Sequence, residues 1–219
     1  MKILIIRHGD PNYELDTLTE KGWKEAEKLA ERIAPMNVKA YYASPMGRAQ
    51  DTASVTMKKA GREVETLPWL HEFDVVIDDK KRGKKYQPWD LVPEEWTGEP
   101  AYYDKDKCFT TELMENSDIK ERFEAVKEGL DALLLKHGYE RVKQGFKVVN
   151  ATDDTIVFFC HFGVQCVILA YLLGISPIIL LNGLSAEPTA VTTVITEERF
   201  DGVTAFRISG FGDISHLDK

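Results

Sequence analysis

The chain opens on Lys2-Ile3-Leu4-Ile5-Ile6, an almost unbroken apolar and β-branched run that ends abruptly in Arg7-His8-Gly9. So short a run without alternation predicts a strand buried on both faces. The design returns at Thr155-Ile156-Val157-Phe158-Phe159-Cys160, which ends in His161, Phe162 and Gly163. If the two strands lie parallel, His8 and His161 share the carboxyl edge, where open α/β sheets bind ligands. A single buried histidine is usually a core residue; two at matching strand ends are harder to read that way.

Between these strands the period lengthens. Trp23, Ala26, Ala30 and Ile33 recur at helical spacing up to Pro35, predicting a helix with all four in the core. It starts from a Thr17-x-x-Glu20 capping box or from Thr19. Val38 to Ala43 predicts a second strand, with Ser44 and Pro45 opening a helix that runs to about Ala60. Arg48 falls in its first turn. A lone arginine there is by default a solvated surface residue, yet free helix N–H groups beside it suit an anion. Glu63 to Leu67 predicts a short strand, and Pro68 to Phe73 carries Glu72 into a loop. His71-Glu72 is followed by Val75 at the fourth position after His71, so the zinc-protease spacing is absent.

Ile119, Phe123, Val126, Leu130 and Leu133 mark a long helix, capped by Asn116 or Ser117 and stopped at His137-Gly138, with His137 at its dipole end. Phe146 to Val149 predicts a strand joined through Asp153-Asp154 to the run at 155–160. A helix from about Val164 to Leu173, stopped by Gly174, and late strands at Ala190–Thr196 and Thr204–Ser209 complete the pattern. From 74 to 117 no period is sustained. Lys80, Lys81, Arg82, Lys84 and Lys85 cluster there, followed by Trp89, Trp96, Tyr102 and Tyr103. So long an irregular segment reads either as an insertion folding over a site as a lid or as a solvated basic loop with a satellite aromatic cluster.

Composition narrows the picture. A length of 219 residues suits one α/β domain spanning 1–219. The net charge of −8 excludes broad electrostatic binding of nucleic acid or anionic membranes. An anion would then need a locally positive pocket, which Arg7 and His8 begin. Cys108, Cys160 and Cys166 are odd in number and lack Cys-x-x-Cys spacing, which points to reduced thiols and no zinc framework. The apolar start is too short for a signal peptide and no run spans a bilayer, so the expected location is cytoplasmic.

Were Arg7, His8, Arg48 and His161 to converge, two guanidiniums and two imidazoles would suit a phosphoryl dianion. An imidazole nitrogen can serve as nucleophile, and a partly desolvated Glu72 as the acid. With Ser44-Pro45-x-x-Arg48-Ala49-x-x-Thr52-Ala53, Leu70-His71-Glu72, Leu18-Thr19-Glu20-x-Gly22 and the closing Ser215-His216-Leu217, the set resembles the histidine phosphatase superfamily, which includes phosphoglycerate-mutase-like enzymes.

The resemblance implies a three-layer α/β/α fold with a mostly parallel central sheet, the 74–117 insertion standing outside the likeness. It implies catalytic roles for His8, Glu72 and His161. His8 becomes a phosphohistidine, Arg7, Arg48 and His161 hold the phosphoryl oxygens, and Glu72 protonates the leaving oxygen, with no metal and no cofactor. Two departures stand out. Pro11 and Glu14 occupy positions where members with an Arg-His-Gly-x-Ser-x-x-Asn motif carry Ser and Asn, and Phe162 follows His161 where many members have Gly or Ser. The leading expectation is therefore a phosphatase of a phosphorylated small molecule or phosphopeptide. A phosphoglycerate mutase and a non-catalytic phospho-ligand binder are the alternatives. The oligomeric state is not legible.

Overall fold

The computed structural model describes residues 1–143, 145–200 and 202–218. β1 (Lys2–Arg7) leads through the short pair β2 (Pro11–Asn12) and β3 (Thr17–Leu18) into α1 (Glu20–Ile33). Thr19 is the N-cap, its hydroxyl accepting from the Gly22 N–H at 3.1 Å. α1 buries Gly22, Glu25, Ala26, Leu29, Ala30 and Ile33. Trp23 lies off that face and is 37% exposed, so it is not the core residue its spacing suggested.

After β4 (Ala40–Ala43), α2 (Gly47–Ala60) begins later than Ser44-Pro45 suggests, with Met46 as its N-cap. β5 (Glu65–Thr66) follows. The stretch read as irregular holds a hairpin of β6 (Ile77–Asp79) and β7 (Lys84–Tyr86), then α3 (Pro93–Gly98) and α4 (Glu112–Glu115). Each is too short for a period to register. α5 (Ile119–Lys136) starts from Asp118, one residue beyond the predicted caps. β8 (Tyr139–Val142), β9 (Gly145–Val148), β10 (Thr155–Cys160), α6 (Phe162–Leu173), α7 (Pro177–Gly183), β11 (Val191–Phe200) and β12 (Val203–Asp213) complete the chain.

The main sheet runs β5-β4-β10-β1-β11-β12-β9-β8. β5, β4, β10 and β1 are mutually parallel and the remaining neighbours pair antiparallel, so only β11 and β9 oppose the common direction. β9, although it precedes β10 in the chain, does not lie beside it. It pairs with β8 and β12 at the far side of the sheet.

Strand pleating divides the apolar residues into two layers. Leu4 and Ile6 of β1 and Val157 and Phe159 of β10 pack with Leu29, Ile33, Ala53 and Met57 of α1 and α2. Ile3, Ile5, Ile156 and Phe158 face the opposite layer, with Val126 and Leu130 of α5, Val164 and Val167 of α6 and Ile178 of α7. Helices thus cover both faces of β1 and β10, which explains why these strands are apolar without alternation. Burying each such side chain contributes about 1.5–3 kcal/mol. Val75, Ile77, Leu91, Tyr102, Cys108 and Met114 of the insertion join the α5–α7 layer. No helix among the described residues is long and apolar enough to cross a membrane.

Candidate active site

In the β1–β10 register Arg7 stands opposite Cys160, so His8 and His161 leave the sheet side by side. Their ring centroids are 5.1 Å apart. The backbone stays paired one residue further: the His8 N–H donates to the Cys160 carbonyl at 3.0 Å and the Ser44 N–H to that of Phe159 at 2.9 Å. His8 is 2% exposed, His161 0%, Arg48 6% and Glu72 9%. Arg48 is therefore not the solvated residue that a lone arginine usually is.

The His8 Nδ1 lies 2.8 Å from the Gly9 carbonyl, which can only accept. Nδ1 therefore carries the proton and Nε2 keeps a free lone pair. Burial, aided by the positive charges of Arg7 and Arg48 and opposed by the Gly9 carbonyl, lowers the His8 pKa from 6.5 to about 4. The ring is a neutral base at neutral pH. Gly9 also donates its N–H to Thr52 Oγ1 at 3.0 Å, and a Cβ there would stand 2.8 Å from the Gly22 carbonyl, so only glycine lets β1 turn this close to α1.

His161 is the N-cap residue of α6, but its side chain does not cap the helix. Its Nε2 is 2.7 Å from Ser44 Oγ, and its Nδ1 is buried with no partner. Burial, with His8 and Arg48 next, pushes its pKa well down. Arg7 donates from Nη1 to the Ala186 carbonyl, and Arg48 from Nη1 to Asp16 Oδ1 at 2.6 Å. Asp16 also accepts from the Gly47 N–H at 2.7 Å, so one carboxylate sets both the start of α2 and the arginine in its first turn. The Nε atoms of Arg7 and Arg48 are buried and unpartnered.

Glu72 Oε1 accepts from the Phe73 N–H at 2.7 Å and the Val164 N–H at 3.1 Å, so Glu72 reaches the start of α6 from outside the helix. Those bonds and the two arginines favour the carboxylate, but burial outweighs them and its pKa is raised. A Cβ on Gly163 would lie 2.7 Å from Glu72 Oε1 and 2.5 Å from Trp89 Cζ3. Gly163 is thus the floor on which the carboxylate and an indole of the insertion meet.

All five predicted residues come together: both arginines act electrostatically on His8, His161 and Glu72. Sequence reasoning missed Asp16 and the contact of Ser44 with His161, and it named Trp89 within the insertion without its place near Glu72. Asp16 sits in a turn with no motif around it, and the other two depend on tertiary approach. Two of the five members of the basic cluster are paired within the insertion. Lys81 pairs with Glu112 at 2.6 Å, and Arg82 with Glu95 and Asp79. A surface cleft of about 440 Å³ between α5, α6 and residues 105–109 contains none of the five groups.

The site is thus a strand-end pair of histidines flanked by two arginines and a buried glutamate, on a three-layer α/β sheet. The model of the histidine phosphatase superfamily (branch 1) matches residues 3–207, and the chain belongs to that superfamily. It is 35% identical over 96 residues to a 2,3-bisphosphoglycerate-dependent phosphoglycerate mutase of Thermoplasma acidophilum, a match covering 39% of this chain and 46% of that one. The chain thus spans about half the length of the curated relatives it matches. Among solved structures, a phosphoserine phosphatase of Entamoeba histolytica superposes with a TM-score of 0.61 at 23% identity over 99% of this chain and 98% of that one. A mycobacterial glucosyl-3-phosphoglycerate phosphatase gives 0.65 at 17% over 96% and 98%. Both likenesses are of fold.

Proposed function

We propose that the protein is a phosphatase that hydrolyses a phosphomonoester through a phosphohistidine on His8. His8 Nε2 attacks phosphorus in line, forming the P–N bond as the P–O bond to the leaving alcohol breaks. Arg7, Arg48 and His161 hold the equatorial oxygens, where transition-state charge collects. Glu72 gives its proton to the leaving oxygen, then takes one from the water that displaces His8 from phosphorus. The observation that carries this reading is the His8 ring, fixed by the Gly9 carbonyl with its other nitrogen free and its pKa lowered to about 4.

An alkaline detergent quench during turnover of a labelled phosphomonoester should trap a base-stable, acid-labile phosphoprotein in the wild type. His8→Ala should yield none and lose essentially all turnover while remaining folded. Full turnover by that variant would refute the mechanism.

The curated relative of Thermoplasma acidophilum favours a second reading, phosphoryl transfer between hydroxyls of phosphoglycerate. Pro11 and Glu14 at the motif positions support hydrolysis instead. A coupled mutase assay with and without 2,3-bisphosphoglycerate separates the two: primer-dependent isomerisation faster than phosphate release would establish the mutase.

A further inference from the structure

We infer that His216 is a positioning residue for the nucleophile, acting through Thr189 on the backbone of His8; this rests on the reading of His8 as the attacking group. The loop from α7 to β11 grips the end of β1 at three points. The Ala186 carbonyl takes Arg7 Nη1, the Ala190 carbonyl accepts from the Arg7 N–H at 3.2 Å, and the Thr189 N–H donates to the His8 carbonyl at 3.1 Å. Thr189 is fully buried and holds φ at +57°. A β-branched residue in the left-handed region is a genuine outlier that surrounding structure must enforce.

Glycine would adopt that backbone without strain, so the threonine side chain must be in use. Its Oγ1 lies 3.0 Å from His216 Nε2. The other His216 nitrogen, Nδ1, is 3.5 Å from Arg32 Nη1. A guanidinium only donates, so Nδ1 accepts and Nε2 carries the proton toward Thr189. His216 is held in turn. Arg32 donates to Asp213 Oδ2 at 2.6 Å, Lys28 Nζ to the Leu217 carbonyl at 2.9 Å, and the Leu217 N–H to the Ile214 carbonyl at 2.8 Å. The closing Ser215-His216-Leu217 thereby links α1 and the end of β12 to the strained residue that fixes the His8 carbonyl. Arg48 and Glu72 are reached by other routes, and Arg7 is held by Ala186 and Ala190 and not by the Thr189 side chain, so loss of the link should affect attack more than phosphate binding.

The test compares His216→Ala, Thr189→Ala and Thr189→Ser in p-nitrophenyl phosphate hydrolysis, with melting temperature and His8 ring NMR resonances on the same samples. His216→Ala and Thr189→Ala should each lower kcat about tenfold or more, because small misplacement of a reacting group is costly. KM should stay within about twofold, Thr189→Ser should recover most of the rate, and the double variant should be no slower than the slower single, as expected of residues in one relay. The His8 ring resonances should shift in both alanine variants even if no substrate is turned over. Wild-type kcat in His216→Ala, kcat losses that merely follow melting temperature, or unmoved His8 resonances would overturn the inference. Full turnover by His8→Ala would instead remove the phosphohistidine reading, leaving the NMR result to judge the relay alone.

Discussion

His8 and Glu72 sit in one buried cup and are shifted in opposite senses by the same cause. Each has its charged form disfavoured by desolvation, so the His8 ring is uncharged at neutral pH and Glu72 holds its proton to higher pH than an ordinary glutamate. That is the pairing a nucleophile and a general acid require, and it sets the pH behaviour. Unfolded, His8 takes up a proton near 6.5; folded, it does so only near about 4. Between those values the unfolded chain binds more protons, so stability falls as pH drops through that window. The gap corresponds to about 3 kcal/mol. Denaturant unfolding at pH 7 and pH 4 should therefore show a loss smaller by about that amount in His8→Ala, and equal losses would mean that His8 is not depressed. Glu72 works the other way: above its ordinary 4.5 the unfolded chain gives up the proton first, so Glu72 subtracts stability as pH rises through that range. At saturating substrate, kcat should rise with His8 deprotonation and fall on the alkaline side as Glu72 ionises. Glu72→Gln should remove the alkaline limb and cost roughly 10²–10⁴-fold in rate, measured as kcat against pH.

The junction of β10 with α6 concentrates these demands in a few residues. His161 leaves the strand, Gly163 opens the first turn, and the Val164 N–H meets Glu72. In Gly163→Ala the new methyl must displace either the indole of Trp89 or the carboxylate of Glu72. We expect a stability loss of about 1–3 kcal/mol, as for overpacked sites, with kcat falling more than KM rises because neither arginine is touched. Unchanged kcat would show that the carboxylate tolerates the shift. This junction was legible because β10 is buried on both faces, so its apolar run and polar end stand out in one dimension. Arg48 was legible as a position but not as an environment, since burial by Asp16 and Met46 is a tertiary fact. Trp23 misled because its spacing fits a helix face that Leu29 occupies. The β8–β9 hairpin left half its clue unread, its residues being mostly exposed or half-buried and without alternation. Thr189 carries no local sign at all: its left-handed backbone is imposed by the contacts it makes.

Three separate regions close over the cup. Tyr13 lies over the Arg48 guanidinium at 5.4 Å, the Ala186 carbonyl holds Arg7, and Trp89 of the insertion stands against Gly163 and edge-on to Phe162. His8 is only 2% exposed, so movement of one of these regions would widen the approach to Nε2. The insertion is the best suited. Its hairpin strands are three residues each, and α3 buries none of its residues, whereas β1 and β10 are sealed between two layers. Short elements with few buried side chains open at lower free energy than core strands. Backbone amides of residues 80–98 should therefore exchange with deuterium faster than those of β1 and β10. Vanadate, a phosphoryl mimic, should slow exchange in that segment and leave α1 unchanged. Trp89→Ala should weaken that protection and lower kcat/KM for phosphomonoesters with an aromatic leaving group more than for glycerol phosphate, since the indole stands near the carboxylate that would face the leaving oxygen in the proposed reaction. Neutralising Lys81 and Arg82, already paired with acids of the insertion, should change this selectivity little. Identical exchange with and without vanadate across 80–98 would rule out the insertion as the moving part and turn attention to the loop that carries Tyr13.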